Sequence, residues 1–299
     1  MIISASRRTD IPSFYYPWLL RRFAAGEVWS VNPFNPRQVT IVPLTSASVD
    51  VVVLWSKNPA PISKYGTPPY PWYMQYTLND YPASVESNLP DIQARISTFR
   101  ALAALGGKDS MVWRYDPILF AGDMDASWHL EKFTRLCQAL EGATDQAVIS
   151  FLDSYSKIGT WLRRMNVRWP QPDEQIDLAR QMAQIGRNHG IRVTACCEAA
   201  LGLPVARCID PDRLTRLIGP LSLPPDKGQR EGCGCVDSID IGRYNSCLHG
   251  CGYCYATTST PTALRNHALH NPDSPLLYGE VHPEAVFKTL DAVSCKSLI

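Results

Sequence analysis

The chain has 299 residues, 45% of them hydrophobic and 19% charged, and its 29 basic and 28 acidic residues leave a net charge of +1. That balance excludes a global basic field able to draw in nucleic acid non-specifically, and no run reaches the roughly 18 apolar residues of a membrane span. The opening MIISASRRTDIP turns polar after a few apolar residues, which fits neither a signal nor a transit peptide, so a cytoplasmic protein without a membrane partner is expected.

In chain order, β-rich runs at 2–6, 51–55, 72–77, 111–115, 147–152 and 191–196 predict strands. Apolar residues at three- and four-residue spacing predict helices over 16–25, 92–105, 128–140 and 174–189, the last closed by Asn188, His189 and Gly190. A hairpin is expected from 28–30 and 39–42 around the turn NPFNPRQ. The segment 201–234 is turn-rich, and 237–241 reads as one more strand. Strands alternating with helices imply parallel pairing, hence an α/β fold, read over 1–299 as a single domain.

Polar residues collect where these strands end: Arg7, Arg8 and Asp10; Lys57; Arg114 and Asp116; Asp153 and Tyr155; and Glu198. Turn chemistry accounts for the Asp, Asn and Pro there, but recurring Arg, Lys and Glu at one topological place point to a shared pocket. Asp116, Tyr155 and Glu198 are the candidates for substrate contact and catalysis, with Tyr155 also positioned to relay a hydrogen atom.

Ten cysteines are many for this length, and only Cys137 and Cys295 lie outside the segment from Cys196 to Cys254. In a reducing compartment such clustering reads as metal ligands rather than disulfides. In CLHGCGYCYA, Cys247, Cys251 and Cys254 follow a C-x3-C-x2-C spacing. Structural zinc wants four closed ligands, and His249, a conceivable fourth, lies within the loop itself. Three thiolates on a [4Fe–4S] cluster leave one iron open. Upstream, Cys196, Cys208, Cys233 and Cys235 supply four thiolates for a second, auxiliary [4Fe–4S] cluster in the segment 196–246, with a zinc knot or plain buried thiols as the alternatives. Cys197 points away from Cys196 on an extended chain, so one of the two is expected to be a ligand.

The triplet with an aromatic before its third cysteine resembles the radical S-adenosylmethionine (SAM) superfamily, and GRYNSCLHGCGYCYA is similar to the cluster loops of spore photoproduct lyase-like members. SRRTDIP, LWSKNP, WRYDP, CCE followed by CID, and QREGCGCVDSIDIGRYNSCLHGCGYCYA together resemble the DUF1848 family across nearly the whole chain. That family implies no particular substrate. Related sequences that read C-A-E where this chain has CCE favour Cys196 as the ligand. The superfamily implies a partial (β/α) barrel in which the open iron binds SAM. Its one-electron reduction, from a donor such as ferredoxin or flavodoxin, yields a 5′-deoxyadenosyl radical that acts on an unidentified substrate. It implies that Tyr253 lies near the adenine, and that Asp10 meets the amino group and Arg7 or Arg8 the carboxylate of SAM, with Lys57 and Arg114 as further candidates. Superfamily members carry the loop after their first strand, whereas here it comes late. Circular permutation, with 237–241 lying beside 2–6, is the expected resolution. A non-catalytic iron–sulfur carrier or redox sensor is the competing reading. A nucleic-acid-binding or repair protein is a third, which the near-zero charge does not favour.

Overall fold

The computed structural model describes residues 1–230, 232–291, 294 and 295; Glu231 of the turn-rich segment lies outside them. Seven strands form one sheet: β1 (Ile2–Ala5), β2 (Val51–Ser56), β3 (Trp72–Thr77), β4 (Met111–Ile118), β5 (Gln146–Phe151), β6 (Arg192–Ala195) and β7 (Ile239–Asp240). Their order in space is β6-β5-β4-β3-β2-β1-β7, and every pairing is parallel. The sheet is open, with β6 and β7 at its edges. The expected neighbour of β1 is found: Ile3 pairs with Ile239 and Ser4 with Asp240.

Side chains alternate across a strand, and the two faces of this sheet differ in what covers them. One face, with Ile3, Val52, Met74, Trp113 and Ile149, packs against the apolar stripes of helices α1 (Tyr16–Ala25), α2 (Ile92–Gly106), α3 (Ala126–Leu140) and α4 (Pro172–Asn188). Each fully buried Ile, Val or Met there contributes about 1.5–3 kcal/mol. Connections whose helices cover the same face keep neighbouring strands consecutive in sequence, and only β7 breaks that order. The other face carries Ile2, Val53, Tyr73, Val112 and Val148, and is covered by residues from the segment after β6, namely Ala206, Ile209, Leu214 and Val236.

The turn-rich segment holds a helix that composition hid, α5 (Pro211–Ile218). Asp210 caps it by accepting from Asp212 N at 3.1 Å, Pro211 starts it, and Gly219, at φ +87°, stops it. The hairpin of Glu27–Val31 and Gln38–Pro43 is extended to three strands by Val286–Thr289, parallel to Gln38–Pro43. Among the described residues, no helix is long and apolar enough to cross a membrane.

Candidate metal and cofactor site

The loop that follows β7 is anchored at its root by Asp240. Its carboxylate accepts from Ser6 Oγ at 2.6 Å, Ser4 Oγ at 3.2 Å, Arg7 N at 2.8 Å and Gly242 N at 3.0 Å, joining the C-terminal ends of β1 and β7. A side chain at Gly242 would run into Ser6.

Asp10 and His249 fasten one flank of the loop. His249 Nε2 meets Asp10 Oδ2 at 2.7 Å, and the same carboxylate accepts from Ser56 Oγ at 3.0 Å, Lys57 N at 2.8 Å and Ser13 N at 2.9 Å. Burial alone would raise this carboxyl, but the donors, His249 first, outweigh it and hold Asp10 below the usual carboxylate range. The protein itself therefore takes most of the acceptor capacity of Asp10. His249 Nδ1 is buried without a hydrogen-bond partner.

Residues 85–88 fasten the other flank, a contact no sequence motif announces. Gly252 N donates to Val85 O at 2.9 Å, Asn88 N to His249 O at 3.1 Å, Asn88 Nδ2 to Leu248 O at 2.8 Å and Ser87 Oγ to Gly250 O at 3.2 Å. Between them Glu86, only 4% exposed, forms a closed triangle. Lys57 Nζ donates to Glu86 Oε1 at 2.8 Å and to Tyr253 OH at 2.7 Å, and the Tyr253 hydroxyl donates to Glu86. Arg95 Nη1 stands 3.6 Å from the second oxygen of Glu86. Burial works against charge on both Lys57 and Glu86, yet their mutual attraction wins: the ammonium is raised and the carboxyl lowered from their ordinary values.

Cys247, Cys251 and Cys254 line one cavity of about 430 Å³, together with His249, Lys157, Trp161, Arg164 and the hydroxyl-bearing run 257–260. Burial pushes the Cys247 and Cys251 thiols up, and the charges of the neighbouring cysteines add to this. A bound cation removes those protons, so the donor set suits a metal group. Gly252 is required by close approach, since a side chain there would collide with the Trp161 indole. Among the described residues, no group of three or more His, Cys, Asp or Glu side chains converges as the ligands of one metal ion do.

The remaining strand-end residues gather elsewhere. Arg114, on the face away from the helices, donates from Nη1 to Cys208 Sγ at 3.1 Å and pairs through Nε and Nη2 with Asp116. Arg7 and Arg114 both stack on Trp55, at 5.3 and 5.6 Å. Arg8 lies 4.0 Å from Asp240 and over the Tyr244 ring. Glu198 accepts from Phe151 N at 2.6 Å, and burial followed by the charge of Asp153 pushes its carboxyl up to about 7. Tyr155 reaches Asp153 at 3.2 Å and is 36% exposed. Lys57, Asp10 and Tyr253 therefore surround the triplet, Arg7, Arg114 and Asp116 lie toward the upstream cysteines, and Tyr155 stands at the surface.

Residues 2–256 match the family model described as a domain of unknown function (DUF1848). No curated protein and no solved structure matches the chain. The match spans the seven strands of the large sheet, the triplet loop and the flanks that hold it, and the chain belongs to the DUF1848 family.

Proposed function

We propose that the chain is a radical SAM enzyme that works on an open, circularly permuted (β/α) barrel, with Cys247, Cys251 and Cys254 as its cluster ligands. The observation that carries this reading is the shared cavity of the three thiols at the C-terminal ends of β1 and β7, the end where parallel α/β sheets place their sites. A three-thiolate [4Fe–4S] cluster, when bound, supplies an open iron for SAM and its reductive cleavage to a 5′-deoxyadenosyl radical. Such a cluster takes one thiolate per iron, so its ligands need not converge on a point. The pairing of β7 beside β1 supports the permutation, since it sets the late loop next to the N-terminal strand.

The residues of this chain hold and shield the site. Asp10 positions the loop through His249. Glu86 fixes Tyr253 and Lys57 beside Cys251, so that the ring and the ammonium brace the loop from behind the cavity that the thiols line. Trp161 lines the cavity and packs against Gly252 between Cys251 and Cys254. Ferredoxin or flavodoxin is the class of donor that supplies the electron.

The test is SAM turnover by the anaerobically reconstituted full chain with dithionite, beside Cys251→Ala. Formation of 5′-deoxyadenosine by the wild type and its loss in the variant support the reading. An intact, reducible cluster that never cleaves SAM overturns it in favour of an electron carrier.

A further inference from the structure

Cys196 follows β6, Cys208 precedes α5, and Cys233 and Cys235 lie on the return toward β7. Their thiols make a continuous series of contacts, Cys196 to Cys208, Cys208 to Cys235, and Cys235 to Cys233. Cys197, at φ +56°, lies beside this series and reaches Cys196 and Arg230.

Buried thiols that only fill space need no donors around them. Here donors are aimed at the sulfurs. The backbone N–H groups of Cys208 and Ile209 point to Cys235 Sγ at 3.2 and 3.4 Å. Arg114 Nη1 donates to Cys208 Sγ at 3.1 Å, and Arg230 Nη2 lies 4.0 Å from Cys196 Sγ. Arg7 interacts electrostatically with Cys208 and Cys235, and its Nη2 is buried with no hydrogen-bond partner. Each arginine also has a carboxylate neighbour, Asp116, Asp153 or Asp226. Guanidinium groups facing sulfur from three separate segments match an anionic sulfur centre, because neutral thiols offer them little attraction.

We propose that Cys196, Cys208, Cys233 and Cys235 hold a second, four-thiolate iron–sulfur centre, and that Arg114, Arg7 and Arg230 balance its charge as positioning residues. Four cysteines satisfy a cluster completely, so this centre presents no open iron and transfers electrons or stabilises the fold. The sulfurs do not converge on one point, in keeping with ligands spread over several irons. Arg7, just after β1, and Arg114, within β4, then serve this centre and not the carboxylate of SAM. The proposal does not depend on what the triplet binds.

The experiment uses the full chain with Cys247, Cys251 and Cys254 all changed to Ala, reconstituted anaerobically with iron and sulfide. About four irons per chain, with an equal amount of labile sulfide, are expected to remain, and to be lost when Cys208→Ser is added. A variant that keeps its native far-ultraviolet dichroism and binds no iron, or binds zinc in its place, overturns the centre. Should the triple variant fail to fold, Cys208→Ser in the otherwise native chain decides. It should lose about four irons and the reduced-cluster resonance of this centre, whatever the triplet holds, and full retention of iron overturns the proposal. Arg114→Gln should lower the midpoint potential of the second centre, because a donor and a positive charge to its sulfur favour the reduced form. An unchanged potential with full iron content overturns the role given to Arg114.

Discussion

Asp10 and His249, 239 positions apart in the chain, meet at 2.7 Å, and through that contact the end of β1 holds the loop of the cysteine triplet. The same carboxylate ties in Ser56 and Lys57 at the end of β2. Asp10→Ala leaves these buried donors unpaired and is expected to cost about 2–5 kcal/mol. Urea unfolding checks the magnitude. Faster loss of iron from the reconstituted protein is the accompanying expectation.

Glu86 is the shared acceptor for Lys57, Tyr253 and Arg95. Glu86→Ala strands two buried cations, for an expected loss of about 3–5 kcal/mol. Tyr253→Phe removes one hydroxyl from the triangle and leaves the Lys57–Glu86 pair, for an expected loss of about 1–2 kcal/mol. A double-mutant cycle should give a coupling well above zero, and strict additivity would contradict the triangle.

Gly252 has the Trp161 indole where a side chain would grow. Gly252→Ala is expected to destabilise by about 1–3 kcal/mol through overpacking and to displace the indole from the cavity. Thermal unfolding and the emission spectrum of the tryptophans read both effects. A variant as stable as the wild type with an unchanged spectrum would refute the close approach.

His129 is fully buried, and burial holds its imidazole down to about 4. Nε2–H donates to Leu119 O at 2.9 Å, so Nδ1 accepts from the Tyr115 hydroxyl at 2.9 Å and the ring is neutral. Between about pH 4 and about 6.5 the unfolded chain binds a proton here that the folded chain refuses. Stability therefore rises with pH across that window, by up to about 1.4 kcal/mol per unit from this group. His129→Gln should show a shallower slope than the wild type in urea titrations between these limits. Identical slopes would remove His129 as the cause.

The strands were legible because buried parallel strands read as short Val- and Ile-rich runs, as in 51–55, and the helices because their apolar stripes repeat at helical spacing, as in α1. The helix α5 was hidden by the turn residues around it, although Asp210, Pro211 and Gly219 carry the start and stop chemistry of a helix. The triplet was visible as spacing, whereas Glu86 was not. It lies in a loop with no motif, and its role arises only when β2 and the triplet loop come together in space. Arg114 was read as one of several strand-end cations, because sequence cannot tell which sulfur a side chain on the covered face will meet.

The pairing of Ser6 with Asp240 across 234 positions also sets an order of events during synthesis. β1 is made first, yet one of its edges gains its partner only when β7 emerges. Until then that edge offers unpaired backbone groups to any other strand, and the triplet, which follows β7 in the chain, is not yet made. The triplet loop thus emerges after the flanks that hold it, Asp10 and residues 85–88, and a chain stalled before residue 239 is expected to be prone to associate.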